Sequence, residues 1–112
     1  FYTPAVVVFR SAPRICVPFV VVAQLRAGFA VGTRGAENQR IFEQFLHRQR
    51  VEVLLPDMET TRQYANLYRQ LRTAGIPIPT NDLWIASVVI QHDLTLYSRD
   101  KHFDVFQQIP SV

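Results

Sequence analysis

The sequence predicts an α/β domain built on a largely parallel sheet. Short apolar, β-branched runs alternate with longer segments of helical periodicity, the pattern of strands that each hand over to a helix. The chain has 112 residues, 48% of them hydrophobic and 19% charged, which suits one small core and leaves no room for a second. Repeats, low-complexity tracts and linkers are absent from the sequence.

Ala5 to Phe9 is β-branched enough for a strand, yet a helix end would also fit there. Arg14 to Val17 reads as a strand stopped by Pro18, a residue tolerated in the first turn of a helix. A short helix follows over Val20 to Phe29 and ends near Gly28 to Gly32. Glu37 to Gln49 is the next helix, with Ile41, Phe42, Phe45 and Leu46 on one face. Val51 to Leu55 is a strand closed by Pro56.

From Glu59 to Thr73, Tyr64, Leu67, Tyr68 and Leu71 recur at helical spacing, Thr60 with Gln63 can form a capping box, and Gly75 supplies the stop. Pro77 and Pro79 stiffen the link that follows. Thr80 or Asn81 can cap a helix over Asp82 to Gln91, which is apolar nearly all round and so expected to be buried. Leu94 to Tyr97 is a short buried strand, and a brief helix is expected near Lys101 to Phe106.

Composition removes several classes of function. A single cysteine, Cys16, excludes an internal disulfide and a cysteine-rich zinc site, and fits a reducing cytoplasm. The longest apolar run, Ile15 to Ala23, contains Pro18 and falls far short of the roughly 20 residues that span a bilayer. Phosphate-binding glycine loops and nucleophile elbows are also absent from the sequence. The basic excess, 12 Lys and Arg against 9 Asp and Glu, gives a net charge of +3. It is almost wholly arginine, a side chain suited to phosphate and equally at home on an ordinary solvated surface. The chain opens on Phe1 rather than methionine, so the sequence leaves open whether Phe1 is a natural start, a boundary or part of a longer product.

Two carboxylates stand out by position. A helix starting at Asp82 runs about 15 Å down a sheet and the strand Leu94 to Tyr97 runs about 13 Å back, so Asp82 and Asp100 return to one edge. Open α/β sheets bind ligands at that edge, and hard divalent ions bind through oxygen ligands of this kind. Each residue also has an ordinary structural reading, Asp82 as a carboxylate favoured at a helix start and Asp100 as a turn residue. His47, His92 and His102 lack metal-ligand spacing, Trp84 and the tyrosines read as core, and Cys16 reads as an inert buried thiol.

The segments Ile78-Pro79-Thr80-Asn81-Asp82-Leu83-Trp84-Ile85-Ala86 and Leu94-Thr95-Leu96-Tyr97-Ser98-Arg99-Asp100-Lys101-His102-Phe103 resemble a PIN domain. More narrowly, they resemble the toxin ribonucleases of bacterial VapBC toxin–antitoxin systems. Val17-Pro18-Phe19-Val20-Val21 with Leu25-Arg26-Ala27-Gly28-Phe29 resembles a second segment of that family, so the likeness runs from about Arg14 onward.

The resemblance implies a three-layer α/β/α sandwich and cleavage of RNA, of the transfer or ribosomal class, dependent on Mg²⁺ or Mn²⁺. It further implies a cytoplasmic protein that commonly forms a homodimer and is held inactive by a cognate antitoxin. Asp82 and Asp100 match the third and fourth acidic positions of the family and would be the metal ligands. Two departures stand beside these matches. Gln24 occupies the second acidic position, and nothing before Ala12 is acidic, so the family's first aspartate and its N-terminal strand are expected to be missing. Loss of a central strand would leave its neighbours with unpaired edges.

Overall fold

A computed structural model describes Val6–Phe9 and residues 14–97. It comprises β1 (Val6–Phe9), β2 (Ile15–Pro18), α1 (Phe19–Val31), α2 (Gly35–Leu46), β3 (Val51–Leu54), α3 (Met58–Ala74), α4 (Thr80–Gln91) and β4 (Leu94–Tyr97). The four strands form one sheet in the order β3-β2-β1-β4. β2 and β3 are parallel, in register from Ile15 opposite Val51 to Pro18 opposite Leu54. β4 runs in the same sense, because β1 is antiparallel to both β2 and β4. Three of the four strands therefore point one way, while the reversed β1 makes two of the three pairings antiparallel.

The expectation of a vacant centre is corrected here. The run Val6-Val7-Val8-Phe9 occupies the middle of the sheet, with Val7 opposite Cys16 on one side and Leu96 on the other. A short run of β-branched valines and a phenylalanine can pair on both sides in either direction, so the slot is filled by a reversed strand rather than left open. On β2, Cys16, Val17 and Pro18 are all buried in succession. Alternate residues face opposite sides of a sheet, so both faces are covered, as in a three-layer sandwich.

Helix boundaries follow local chemistry. α1 begins one residue earlier than the sequence indicated, at Phe19, because Pro18 already sits at φ −62° and has no N–H to leave unbonded. α2 starts at Gly35, where a Cβ would stand only 1.9 Å from the carbonyl oxygen of Phe29. The close approach of α1 to α2 requires glycine there. Arg26 joins the pair, ion-paired to Glu43 at 2.6 Å with its guanidinium 5.7 Å from the centre of the Phe42 ring. Phe42 also meets Phe29 edge-on at 5.8 Å, while Ile41, expected on the buried face, is exposed.

For α3 the cap is Asp57 rather than the expected Thr60–Gln63 box. The Asp57 carboxylate accepts from the Thr60 N–H at 3.1 Å, and the Thr60 hydroxyl accepts from the Asp57 N–H at 2.9 Å. Gly75 ends the helix at φ 70°, and the Ile76 N–H donates to the Leu71 carbonyl at 2.9 Å. Of the four expected face residues, Leu67 and Leu71 are buried, Tyr64 is half-buried and Tyr68 is exposed. α4 lacks the side-chain cap expected from Thr80 or Asn81. Its first turn is closed through the backbone, by the Leu83 N–H donating to the Pro79 carbonyl at 3.1 Å. It buries Leu83, Ile85, Ala86, Val88 and Val89, packing on α3, α1 and β4 at the centre of the core.

Candidate functional site

Asp82 lies in the first turn of α4 and is only 2% exposed. The sequence puts it there for a local reason. Pro77 and Pro79 keep the approach extended, and a carboxylate in a helix's first turn is favoured by the unbonded N–H groups. The apolar residues that follow then carry that turn into the core.

Gln24 lies in the second turn of α1, half-buried, and its side-chain oxygen is buried with no hydrogen-bond partner among the described residues. A buried carbonyl oxygen left without any partner costs about 1–3 kcal/mol. α1 and α4 pack against each other, with Phe19 and Val20 facing Trp84 and Val88 across a cleft of about 240 Å³ that Pro56 closes. The helices bearing Gln24 and Asp82 are thus direct neighbours.

Asp100, Lys101 and His102 lie outside the described residues, so the shared edge for Asp82 and Asp100 stays an expectation from the sequence. His47 is exposed, its Nδ1 2.7 Å from the Glu43 carbonyl oxygen, and His92 caps the end of α4 through its backbone. Neither joins a metal cluster, and among the described residues no three His, Cys, Asp or Glu side chains gather around a point. Gln24 can offer an amide oxygen and Asp82 a carboxylate, from helices that pack together. That is the chemistry hard ions such as Mg²⁺ or Mn²⁺ accept, and it suits no soft metal.

Cys16 is fully buried in β2. Burial first, and Glu52 second, push its thiol up to about 11 against a smaller opposing pull from Arg14, which keeps it protonated and unreactive as expected. Trp84 is half-buried, its ring 4.4 Å from that of Tyr64, and joins α4 to α3.

One feature was invisible in the sequence. Gln91, at the end of α4, donates to Asp57 at 2.8 Å and accepts from the Thr60 hydroxyl at 2.5 Å, which fastens the start of α3 to the end of α4. The Gln91 hydrogen bond is the leading reason the Asp57 carboxyl is held below its ordinary range. These partners stand 34 and 31 residues apart, and no local spacing could have paired them.

Comparison with known proteins places this geometry. The PIN domain family model matches residues 3–108. Ribonuclease VapC1 of Haemophilus influenzae strain R2866 is 33% identical over 94 residues, covering 77% of this chain and 68% of the relative. Ribonuclease VapC2 of Rickettsia felis is 30% identical over 98 residues, covering 88% and 70%. The plasmid stability protein StbB of Pseudomonas syringae pv. tomato is 33% identical over 85 residues, and the chain spans only 61% of its length.

Among solved structures, VapBC2 of Rickettsia felis bound to a promoter DNA fragment superposes with a TM-score of 0.78 at 27% identity, over 87% of this chain and 72% of that one. VapBC-1 of nontypeable Haemophilus influenzae gives 0.78 at 26% identity, over 88% and 73%. With the family model matched along nearly its whole length and VapC ribonucleases among its relatives, this chain belongs to the PIN-domain family and is of the VapC type.

Proposed function

We propose that the chain is a divalent-metal-dependent ribonuclease, the toxin of a toxin–antitoxin pair, with Mg²⁺ or Mn²⁺ held by Asp82, Asp100 and the amide oxygen of Gln24. The observation that carries this reading is Asp82, a carboxylate 2% exposed at the head of the most buried helix, on the motif that resembles the family's metal-binding segment. When bound, such an ion lowers the pKa of a coordinated water and stabilises charge developing on a phosphate. The protein's own part is to hold two oxygen donors on packed helices and to keep Asp82 almost free of bulk water. An effective dielectric lowered in this way strengthens its attraction for a cation.

The substrate class in this reading is structured RNA, of the transfer or ribosomal kind, encountered in the cytoplasm. The partners are a cognate antitoxin and a second copy of the toxin. The likeness to the solved VapBC structures of Rickettsia felis and Haemophilus influenzae supports the antitoxin partner. Among the described residues no helix is long and apolar enough to cross a membrane.

Gln24 favours a second reading, a PIN fold that binds antitoxin or RNA without cutting. An amide brings an oxygen but no charge, and no acidic residue precedes Glu37 in the chain. Incubation of transfer and ribosomal RNA transcripts with the purified chain, in Mn²⁺ and in EDTA, separates the two. The ribonuclease reading expects cleavage in Mn²⁺ only, reduced at least 100-fold by Asp82→Asn. Cleavage absent in Mn²⁺, with RNA or antitoxin still bound, establishes the second.

A further inference from the structure

Charge is unevenly divided between the two halves of the fold. Residues 14–52 carry six arginines against three glutamates, whereas residues 57–93 carry three arginines against four acids. Each glutamate of the first half is already taken. Glu37 pairs with Arg34 at 2.7 Å, Glu43 with Arg26 at 2.6 Å and Glu52 with Arg14 at 2.9 Å. Arg40, Arg48 and Arg50 are left exposed, with no acidic partner among the described residues.

These three arginines are not scattered. Arg40 lies in the middle of α2, and Arg48 and Arg50 lie in the turn that leads from the end of α2 to β3. A turn then closes with the Val51 N–H donating to the Arg48 carbonyl at 3.0 Å. The Ile15 N–H donates to the Arg50 carbonyl at 2.8 Å, which sets Arg50 beside Arg14 where β3 and β2 begin. Arg48, Arg50 and Arg14 thus gather at the edge where β2 and β3 start, opposite the edge where Pro18 hands β2 to α1, with Arg40 on the helix that leads to them. Between and beside these arginines stand Gln44, His47 and Gln49, exposed polar side chains that can add hydrogen bonds.

We propose that Arg40, Arg48 and Arg50, flanked by Arg14, form an RNA-docking surface that grips the phosphate backbone away from the Asp82 edge. The proposal rests on RNA being the substrate and adds where the body of that RNA is held. A group of exposed, planar, permanently charged forks suits the successive phosphates of a nucleic-acid backbone, each able to take a bidentate contact. A protein partner would call for an apolar centre; Ile41 is a single exposed apolar side chain here, among arginines, glutamines and a histidine.

The test is binding of a 20-nucleotide single-stranded RNA in EDTA, where cleavage does not compete, measured across salt concentrations. The triple variant Arg40→Gln, Arg48→Gln, Arg50→Gln is compared with a charge-matched triple on the other half, Arg62→Gln, Arg69→Gln, Arg72→Gln. Three lost phosphate contacts should reduce the slope of log affinity against log salt by about 2, and only in the first variant. In Mn²⁺ the same variant should raise KM for RNA cleavage several-fold with kcat unchanged.

An equal loss in both triples overturns the surface, as does an unchanged slope or a first variant that loses poly-glutamate binding while keeping RNA. Absence of cleavage by the unmodified chain counts against the ribonuclease reading instead, and leaves the EDTA measurement to decide the surface.

Discussion

Gln24 and Asp82 carry opposite kinds of tension at the scale of single residues. The Gln24 oxygen is buried without a hydrogen-bond partner among the described residues, so Gln24→Met should stabilise the metal-free protein by about 1–2 kcal/mol in urea unfolding while weakening Mn²⁺ binding. A change that stabilises the fold and harms the ligand marks a position kept for function. Gln24→Glu should do the reverse, tightening Mn²⁺ binding about tenfold and destabilising the metal-free chain, because it places a second charge in a half-buried place. Asp82 was legible from the sequence because prolines, a helix start and an apolar run surround it on consecutive residues. The unmet oxygen of Gln24 was not, since burial of one atom depends on how α1 seats in the whole core. Cys16 illustrates the pH side of the same scale. Its thiol is raised from 9.0 to about 11, so it contributes stability that is complete below pH 9 and is lost as pH rises through 11. Cys16→Ala should flatten that alkaline limb in pH-dependent unfolding, at a cost of about 1–2 kcal/mol at neutral pH from the lost packing.

Between elements, two contacts fix how the helices meet. At Gly35 any Cβ collides with the Phe29 backbone, and a carbonyl cannot swing aside as a long side chain can. Gly35→Ala should therefore cost 1–3 kcal/mol in thermal unfolding, whereas Gly28→Ala, inside α1 with open space around it, should gain up to about 1 kcal/mol. The junction of Asp57, Thr60 and Gln91 ties α3 to α4. Because the Asp57 carboxyl is depressed, its contribution is present above the ordinary aspartate range and fades as pH falls below it. Gln91→Leu should blunt that acid-side loss, a change read by repeating the unfolding series from pH 6 to pH 2. The sequence revealed the helices themselves through periodicity, but misplaced the caps of α3 and α4. Asp57 outranked Thr60 as N-cap because its carboxylate reaches both the Thr60 N–H and Gln91, a choice decided by a partner 34 residues away.

Across the whole molecule, the order of elements and the parallel sense of β2, β3 and β4 were predictable from alternating strand and helix patterns. The place of β1 was not, since three valines and a phenylalanine specify a strand but neither its neighbours nor its direction. Val7→Pro tests that placement. It removes a backbone donor from the middle of the sheet and should cost at least about 1–3 kcal/mol, while an unchanged stability would remove β1 from the centre. The same fold brings the buried carboxylate to the head of α4, beside the helix that bears Gln24, and this pairing underlies the claim that the molecule is a metal-dependent PIN ribonuclease. That claim is tested most directly by titrating Mn²⁺ into the chain by calorimetry, with Asp82→Asn and Asp100→Asn alongside, and assaying RNA cleavage in the same buffer. The account predicts one saturable site, lost in both variants, with cleavage appearing as it fills. Cleavage that persists in Asp82→Asn, or Mn²⁺ binding untouched by either substitution, would contradict it.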